Sequence, residues 1–395
     1  YGLMDPRRVP LLDSPAEAYA FLPQRSTRRK AALDRYGEAA INASSIVEQS
    51  GDRRLLIVLV EFDDIEDGAT YPDASLPLGT TASRWQQWGF GNGVSLKDYF
   101  EEVSGGAMNL IPAEEASGTV DDGVVDWIHL PGDSGDPGDP DWSIHPSHPP
   151  DRFDSAEDWS NPLVGAVIEH VSNEGLVDFS LYDDNDDGAI GYEELLLVVI
   201  LAGYDASWVP SQEPAVWPHA FRFEAGSAPM VNSVEVCADY GAGNPSTGTY
   251  AVLGEWLATP PESAPSDGHA LQIGQACHEI GHHFFLPEGY DVTFSSKGAG
   301  RFCVMAYGSW NQRVLPADSP AHPAPWVKKC LGWTELIDGS DSPGSYSLNS
   351  LSQGHQTLMI QSSSMDDEEY FLLENRQPEG FDSGLAGQAG MLLWH

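Results

Sequence analysis

The sequence predicts an α/β (α+β) fold, because apolar runs typical of buried strands occur along the chain together with segments of helical spacing. Residues 53–64, RRLLIVLVEFDD, form one apolar run that ends in acidic residues, and residues 195–203, LLLVVILAG, form another. Residues 95–106, SLKDYFEEVSGG, are predicted to be a helix with Ser95 as its N-cap and a glycine pair at its end. Residues 162–175 return to helical spacing.

Length and composition narrow the class of protein. The chain has 395 residues, 41% of them hydrophobic and 10% aromatic, which is typical of a globular protein with one large core or two smaller ones. No stretch approaches the roughly 20 apolar residues that a membrane-spanning helix needs. The 19 basic and 60 acidic side chains give a formal net charge of −41, which disfavours nucleic-acid binding because a polyanion would be repelled. We attribute this charge to solubility in a salty or calcium-containing medium, with calcium sites and the selection of cationic partners as the alternative.

The N-terminal segment differs from the rest of the chain in charge. Residues 1–36 hold seven basic and four acidic side chains, whereas the remainder is strongly acidic. We therefore predict an N-terminal basic segment at residues 1–50 and a main domain at residues 51–395. The chain ends in an apolar run, residues 391–394, so we expect that the natural protein continues past His395 or is cleaved there.

The segment at residues 278–291, HEIGHHFFLPEGYD, carries a candidate metal site. Positions i and i+4 share one face of a helix, so His278 and His282 can both direct a ring nitrogen at one ion. Zinc suits two imidazoles and leaves room for a third ligand and a water, from which Glu279 could take a proton. The alternative is an ordinary solvated helix with a surface histidine pair.

A third ligand is expected just after this helix. Pro287 ends the helical segment, and Glu288 follows ten residues after His278, where a chain that turns back under the metal would supply a ligand. Asp291 is the nearest rival to Glu288. His283 is a weaker one, because it points to a neighbouring face of the helix.

A second candidate site lies in residues 181–194, LYDDNDDGAIGYEE, which fit a calcium loop. Oxygen ligands alternate along it, and Gly188 provides a sharp turn. The sequence after the loop predicts a strand rather than the exit helix of a paired EF-hand, which favours a lone structural calcium over a sensor. A solvated acidic turn is the alternative. The predicted calcium ligands are Asp183, Asn185, Asp187, the carbonyl of Ala189, and Glu194.

The segment HEIGHHFFLPEGYD resembles the zinc signature of the immune inhibitor A family of secreted metallopeptidases, in the metzincin clan, whose pattern is similar to HExGHxxGLPDxYD. The resemblance runs from about residue 53 to the end of the chain, in family order. Its other blocks are VLVEFDD (58–64), SLKDYFEEVSGG, FSLYDDNDDG (179–188), VWPHAF (216–221), CVMAYGSW (303–310), VKKCLGW (327–333) and YFLLENRQPEGFDSGLAGQAGMLLWH (370–395).

The resemblance implies a metzincin-like zinc peptidase fold with a mixed twisted sheet, an active-site helix and a Met-turn. By position, it makes His278 and His282 zinc ligands and Glu279 the general base. It places Met305 in the Met-turn, as an apolar floor beneath the metal. It also places Tyr307 where several metzincins have a tyrosine that approaches the zinc or the developing oxyanion.

Two positions depart from the family pattern. Glu288 stands where the family usually has Asp, which lengthens the proposed third ligand by one methylene. Phe285 replaces the usual Gly, at a point where the chain turns with a left-handed backbone that bulky residues disfavour. Both departures bear on the loop that carries the third ligand.

The expected function is that of a secreted zinc-dependent endopeptidase acting on protein or peptide substrates as a monomer, with catalytic zinc and structural calcium. The alternative is a noncatalytic adhesion or binding module on the same fold. Glu279 favours catalysis, since such a module needs no base beside the metal. A zinc amidase that acts on non-peptide substrates is a further alternative.

The resemblance also bears on the N-terminal segment and the four cysteines. The family is made with an inhibitory prosegment, so residues 1–50 are either a remnant of that segment, packed over an acidic cleft, or a flexible linker. An even number of cysteines in an acidic, exported chain favours disulfides, with buried thiols as the alternative. With the Met-turn at Met305, a Cys303–Cys330 bridge would hold the loop beneath the site, and Cys237 would pair with Cys277.

Overall fold

The computed structural model describes residues 48–63, 80–132, 141–146, 156–207, 214–223, 226–237, 249–257, 269–284, 286–291, 296–340, 342–365, 369–385, 387 and 389–395. The basic segment predicted at residues 1–50 lies almost wholly outside these residues, as does Phe285. None of the helices within the described ranges is both long enough and apolar enough to cross a membrane.

Strands and helices alternate through most of the described chain. The strands are β1 (Gly51–Glu61), β2 (Met108–Pro112), β3 (Val124–His129), β4 (Ala189–Ile190), β5 (Leu195–Asp205), β6 (Ala215–Val216), β7 (His219–Phe221), β8 (Met230–Val231), β9 (Val234–Val236), β10 (Tyr250–Leu257), β11 (His269–Ala270), β12 (Glu335–Asp338), β13 (Gln356–Ile360), β14 (Phe371–Arg376) and β15 (Gly390–Trp394). The helices are α1 (Ala82–Phe90), α2 (Leu96–Val103), α3 (Ala156–Asn173), α4 (Ile273–His283) and α5 (Pro325–Leu331). Short 3-10 helices occur at Phe179–Leu181, Gly300–Phe302, Tyr307–Trp310 and Gly380–Leu385.

A mixed sheet in the order β11-β10-β5-β1-β2 forms the centre of the molecule. Strand β1 pairs in parallel with β5, from Arg54 opposite Leu195 to Val60 opposite Leu201, and its other edge pairs with β2 and then β3. Strand β10 runs parallel to β5, whereas β11 and β7 are antiparallel to β10. The predicted α/β fold is confirmed, and the two apolar runs predicted as buried strands are β1 and β5.

The alternation of side chains along β1 divides the apolar core into two layers. Leu55, Ile57 and Leu59 pack with residues of α1, α2 and α4 on one face of the sheet. Leu56 and Val58 pack with residues of α3 on the opposite face. Both faces of the central sheet are therefore covered, which explains why its strands are apolar throughout rather than alternating with polar residues.

Helix α2 follows the local signals in its sequence. The Ser95 hydroxyl accepts a hydrogen bond from the amide of Asp98 at 3.0 Å, so the predicted N-cap is confirmed. Four side chains of the helix are buried, and Gly105 and Gly106 follow its end with φ of 67° and 78°. A left-handed backbone of this kind favours glycine, which accounts for the glycine pair.

Helix α3 was only partly predicted. The sequence indicated helical spacing from residue 162, whereas the helix begins at Ala156 and continues through Pro162. Proline is common in the first turn of a helix, whereas Pro162 lies in the interior of this one. Its missing amide costs one hydrogen bond, and the apolar side chains that α3 buries against the sheet offset that loss.

A second sheet, in the order β12-β13-β14-β15, follows α5. Its first pair is parallel and its other two pairs are antiparallel. The apolar run predicted near the end of the sequence forms β15, in which Met391 and Leu393 are exposed.

The predicted disulfides are wrong, since all four cysteines are free thiols. Cys237 and Cys277 lie in cores on opposite faces of the central sheet, so the sheet itself separates them. Cys303 is buried in the core of α4, and Cys330 packs against the same core as a free thiol. Burial raises the pKa of the Cys303 thiol, which keeps it protonated and unreactive.

Candidate active site

The two motif histidines, His278 and His282, lie on helix α4, which is largely buried. His278, Glu279 and His282 each offer a ligand atom, and these atoms all lie within 4.8 Å of one another. No other group of three or more His, Cys, Asp or Glu side chains within the described ranges meets that distance. The spacing that suggested a metal site thus corresponds to a compact cluster.

Backbone carbonyls fix the orientation of both imidazole rings. The Nδ1 atom of His278 lies 2.9 Å from the carbonyl oxygen of Val304, and Nδ1 of His282 lies 2.8 Å from that of Leu286. Since a carbonyl can only accept, each Nδ1 carries a hydrogen, and in the neutral ring Nε2 is the nitrogen that keeps its lone pair. This tautomer is the one needed for metal ligation through Nε2.

Glu288 lies against the same two Nε2 atoms. Its Oε2 is 3.2 Å from Nε2 of His278, and its Oε1 is 3.6 Å from Nε2 of His282. Nε2 of His278 and Oε2 of Glu288 are both buried without a hydrogen-bond partner, although they are so close. Atoms that approach without the geometry of a hydrogen bond suit ligands directed at a shared centre, so these residues fit a zinc ion.

The electrostatics of the pair agree with this arrangement. Burial lowers the pKa of His278, but the negative charge of Glu288 outweighs it and raises that pKa to about 9, so a metal ion that binds Nε2 would displace its proton. Burial raises the pKa of Glu288, and the adjacent histidines more than reverse this, to about 2. A carboxylate held in its charged form beside two imidazoles is the donor set expected of a catalytic zinc site.

The two rivals for the third ligand position have other surroundings. The Asp291 Oδ2 atom accepts a hydrogen bond from the amide of Ser296 at 2.8 Å. His283 is fully buried, and burial lowers its pKa to about 4. The group of His278, Glu279 and His282 includes neither of them nor Glu288, but Glu288 contacts Nε2 of both histidines.

Tyr290 supports Glu288, and the sequence analysis missed it. Its hydroxyl donates to Oε1 of Glu288 at 2.8 Å, and its ring lies nearly parallel to that of His278, at 22° with centroids 6.4 Å apart. The sequence signal that could have identified Tyr290 was its position two residues after Glu288. A buried tyrosine usually finds a partner for its hydroxyl, and here the nearest acceptor was the predicted ligand.

Two glycines of α4 allow the predicted Met-turn segment to approach the helix. A Cβ added at Gly281 would collide with Sδ of Met305, and one added at Gly274 would collide with the carbonyl oxygen of Ser309. Met305 is buried, and its carbonyl accepts the amide of Gly289 at 2.5 Å. Glycine inside a helix often has such a packing reason, which was the signal available in the sequence.

Tyr307 begins the 3-10 helix that follows Met305. Its side chain is mostly buried, and its ring centroid lies 6.5 Å from that of Tyr290, the tyrosine that donates to Glu288. Burial raises the pKa of Tyr307, and the negative charge of Asp291 raises it further. The hydroxyl therefore stays protonated at neutral pH and can donate a hydrogen bond.

The predicted calcium loop is closed by its own side chains. The amide of Asp187 donates to Oδ1 of Asp183 at 3.0 Å and to Oδ1 of Asn185 at 2.8 Å. Glu194 accepts the amides of Asp184 and Gly191 across the loop. The residues after the loop form strand β5 rather than a helix, as predicted.

Position Gly188 of this loop has φ of 85°, as its predicted role in a sharp turn requires. The Arg54 guanidinium lies 2.7 Å from Oδ2 of Asp184 and so attaches the loop to β1. The carboxylates of Asp183, Asp187 and Glu194 do not form a group comparable to that of the histidines.

This fold and this histidine–glutamate cluster define a peptidase catalytic domain of the HExxH zinc type. Comparison with known families agrees: the model of the family described as immune inhibitor A peptidase M6, catalytic domain, matches residues 43–334. The chain belongs to this family, as the resemblance in its sequence indicated.

One curated relative is Immune inhibitor A of Bacillus thuringiensis subsp. alesti, which is 24% identical over 261 residues. The aligned part covers 62% of this chain and 33% of that protein. The chain therefore matches about a third of the length of this relative. The second sheet, β12 to β15, follows the part that the family model matches.

Proposed function

We propose that this chain is a secreted zinc-dependent endopeptidase that hydrolyses peptide bonds of protein substrates. The observation that carries the proposal is the position of Glu279, which is buried and has a carboxylate oxygen within 4.8 Å of a ligand atom of each histidine. A structural zinc site does not need a buried carboxylate beside its ligands that is not itself a ligand.

Three residues would hold the zinc in this proposal: His278, His282 and Glu288. When bound, the ion would polarise the scissile carbonyl and lower the pKa of an attacking water. Glu279 would accept a proton from that water and pass it to the leaving amine. Its burial keeps bulk water away from this transfer.

Two further residues have supporting roles in the proposal. The Tyr307 hydroxyl would donate to the oxyanion as charge develops on the carbonyl oxygen of the substrate. Met305 would be the Met-turn residue of a metzincin-like site, and its contact with Gly281 supports this.

The test replaces Glu279. Glu279→Ala should keep zinc and fold but lose casein hydrolysis by roughly two to four orders of magnitude, because the water loses its base. Glu279→Gln, which keeps the shape of the side chain, should lose activity to a similar degree. Zinc content is measured on the same samples. Hydrolysis at the parent rate by either variant would exclude this mechanism.

The same experiment separates the two alternatives. A noncatalytic adhesion or binding module on this fold would show no zinc-dependent hydrolysis in the parent chain. A zinc amidase would cleave small amides but leave casein intact. The buried position of Glu279 favours the peptidase, which the family of the chain also supports.

We also propose a structural calcium ion in the loop of residues 181–194, with ligands Asp183, Asn185, Asp187, Ala189 and Glu194. The side-chain oxygens that turn back on the loop amides support this. Calcium should stabilise the parent by about 2.7 kcal/mol at a hundredfold excess over Kd. The comparison is Asp187→Ala beside the parent, both carrying Glu279→Ala to prevent self-digestion. If calcium stabilised Asp187→Ala and the parent equally, the ion would bind outside this loop.

Residues 1–50 are proposed to be a prosegment remnant in a chain that is otherwise a monomer. The support is the excess of basic side chains in residues 1–36, which the strongly acidic remainder would attract. Removal of residues 1–36 should raise activity at low salt and weaken its salt dependence. If neither changes, the segment is a linker.

A further inference from the structure

Four charged side chains form a buried charge cluster where α5 meets the second sheet. Lys328 and Glu374 are joined at 2.8 Å between Nζ and Oε2, and Arg376 and Asp382 are joined at 2.6 Å between Nε and Oδ2. At most 2% of any of the four residues is exposed. The cluster contains two positive and two negative charges, so it is neutral as a whole.

The guanidinium of Arg376 has three kinds of acceptor around it. Nε and Nη2 form a fork on the carboxylate of Asp382, at 2.6 and 2.7 Å. Nη1 donates to Oε1 of Glu374 at 2.9 Å, and also to the carbonyl oxygen of Phe302 at 2.8 Å. The two carboxylates hold the planar group in place, and Phe302 is the partner from outside the cluster.

Phe302 leads directly to a histidine of the active site. It is the last residue of the 3-10 helix Gly300–Phe302, and two residues later the carbonyl of Val304 accepts Nδ1–H of His278 at 2.9 Å. Between them, the carbonyl of Cys303 accepts the amides of Ala306 and Gly308, each at 3.0 Å. A segment this short, held at Phe302, Cys303 and Val304 by these hydrogen bonds, would transmit a shift of Phe302 to Val304.

From this geometry we propose that Arg376 is a positioning residue of the metal site. It fixes the Phe302 carbonyl, and through Val304 it sets the orientation of the His278 ring. The inference rests on the proposed zinc site at His278. It also extends the functional unit to Asp382, beyond residue 334, where the family match ends.

The balance of charges does not by itself explain why these positions hold charged rather than apolar side chains. Apolar side chains of similar volume often replace a buried group of paired charges without loss of stability, so stability is a weak reason for such a group. A methionine or leucine at position 376 cannot donate to the Phe302 carbonyl. Directed donation from a held guanidinium is what the cluster adds to the site.

The experiment measures zinc affinity by competition with a chelator, together with unfolding in urea, on the full chain carrying Glu279→Ala. Arg376→Lys keeps the charge but loses the fork, and it should bind zinc about 10- to 100-fold more weakly than the parent. Lys328→Met is the matched control, because Lys328 contacts Glu374 but not Phe302. It should lose stability and keep zinc affinity within about twofold.

The outcomes separate the inference from the proposal beneath it. A parent that binds no zinc would refute the zinc site itself. If the parent binds zinc and Arg376→Lys binds it equally well, or if Lys328→Met loses as much affinity, Arg376 has no positioning role. Should Arg376→Lys fail to fold, Asp382→Asn weakens the same fork. It should also lower zinc affinity, and an unchanged affinity there overturns the inference.

Discussion

The active-site group, His278, Glu279, His282 and Glu288, and the buried charge cluster each contain four polar side chains. Both groups include side chains that are shielded from water, yet their internal contacts differ. In the charge cluster, each charge lies 2.6 to 2.9 Å from an opposite one with a matching donor and acceptor. In the active site, Nε2 of His278 and Oε2 of Glu288 have no hydrogen-bond partner.

This difference shows which observation indicates function. Burial of charge occurs in both groups, so burial by itself does not distinguish a reactive site from a structural one. Buried polar atoms that approach each other without a hydrogen bond, as Nε2 of His278 and Oε2 of Glu288 do at 3.2 Å, occur only in the first of these two groups. Because such atoms are costly unless something binds them, they are the better marker of a site that holds a ligand.

The largest effect is expected from removal of a zinc ligand, which should abolish the active site and leave helix α4 intact. His282→Ala should bind no zinc after dialysis and hydrolyse no casein, because one of three ligands is gone. His283→Leu is the neighbouring control, since this buried histidine lies outside the cluster, and it should keep its zinc. If His283→Leu lost zinc and His282→Ala kept it, His283 rather than His282 would be the ligand, and the predicted site would be wrong.

A second prediction breaks the charge cluster. Glu374→Leu leaves Lys328 buried without its carboxylate and should lower the free energy of unfolding by about 3 to 5 kcal/mol. Combining it with Lys328→Met should cost less than the sum of the two single changes, because no charge is then left unpaired. Urea denaturation of the four proteins measures this, and simple additivity would contradict the pairing.

A third prediction uses acid to probe the same cluster. Burial raises the pKa of Asp382, but Arg376 more than offsets this and lowers it from 3.8 to about 2. A carboxyl whose folded pKa is depressed stabilises the protein above its unfolded pKa and loses that effect as pH falls. The zinc-free parent should thus lose on the order of 2 kcal/mol between about pH 4 and 2.

Asp382→Asn provides the comparison for this pH dependence. With no carboxyl to titrate, its free energy of unfolding should fall less over the same interval. Parallel curves for the two proteins would show that other groups account for the acid sensitivity.

The smallest predicted effect lies inside the active site. Tyr290→Phe removes the hydroxyl that donates to Glu288 but keeps the ring beside His278. Zinc affinity should fall about tenfold, or about 1.4 kcal/mol. Equal affinities in the parent and Tyr290→Phe would mean that Glu288 needs no such support.

Tyr307→Phe should leave zinc affinity unchanged and lower the rate of hydrolysis.

Local signals predicted the parts of the fold that depend on neighbours in sequence. The Ser95 cap, the apolar runs of β1 and β5, and the i and i+4 spacing of His278 and His282 each act over a few residues. The order of strands and the two-layer core depend on residues far apart in the chain. The predicted Cys237–Cys277 pair failed for that reason, because a count of cysteines carries no information about which side of a sheet each occupies.

Signals for the charge cluster were present but weak. Glu374 and Arg376 alternate in FLLENR, which places both on one face of a strand. An isolated strand of this pattern is equally typical of a solvated surface. Only the positions of Lys328 and Asp382, brought in by other elements, determine that the face is buried.

The central place of β1 has a consequence for synthesis of the chain. Its apolar residues 55–60, LLIVLV, need β5 on one edge, and β5 leaves the ribosome about 140 residues later. At roughly 5 to 20 residues per second, this strand waits roughly 7 to 28 seconds with an edge unpaired. An unpaired apolar strand is prone to aggregate during that interval. The nascent chain should therefore depend on a chaperone that covers this segment until β5 emerges.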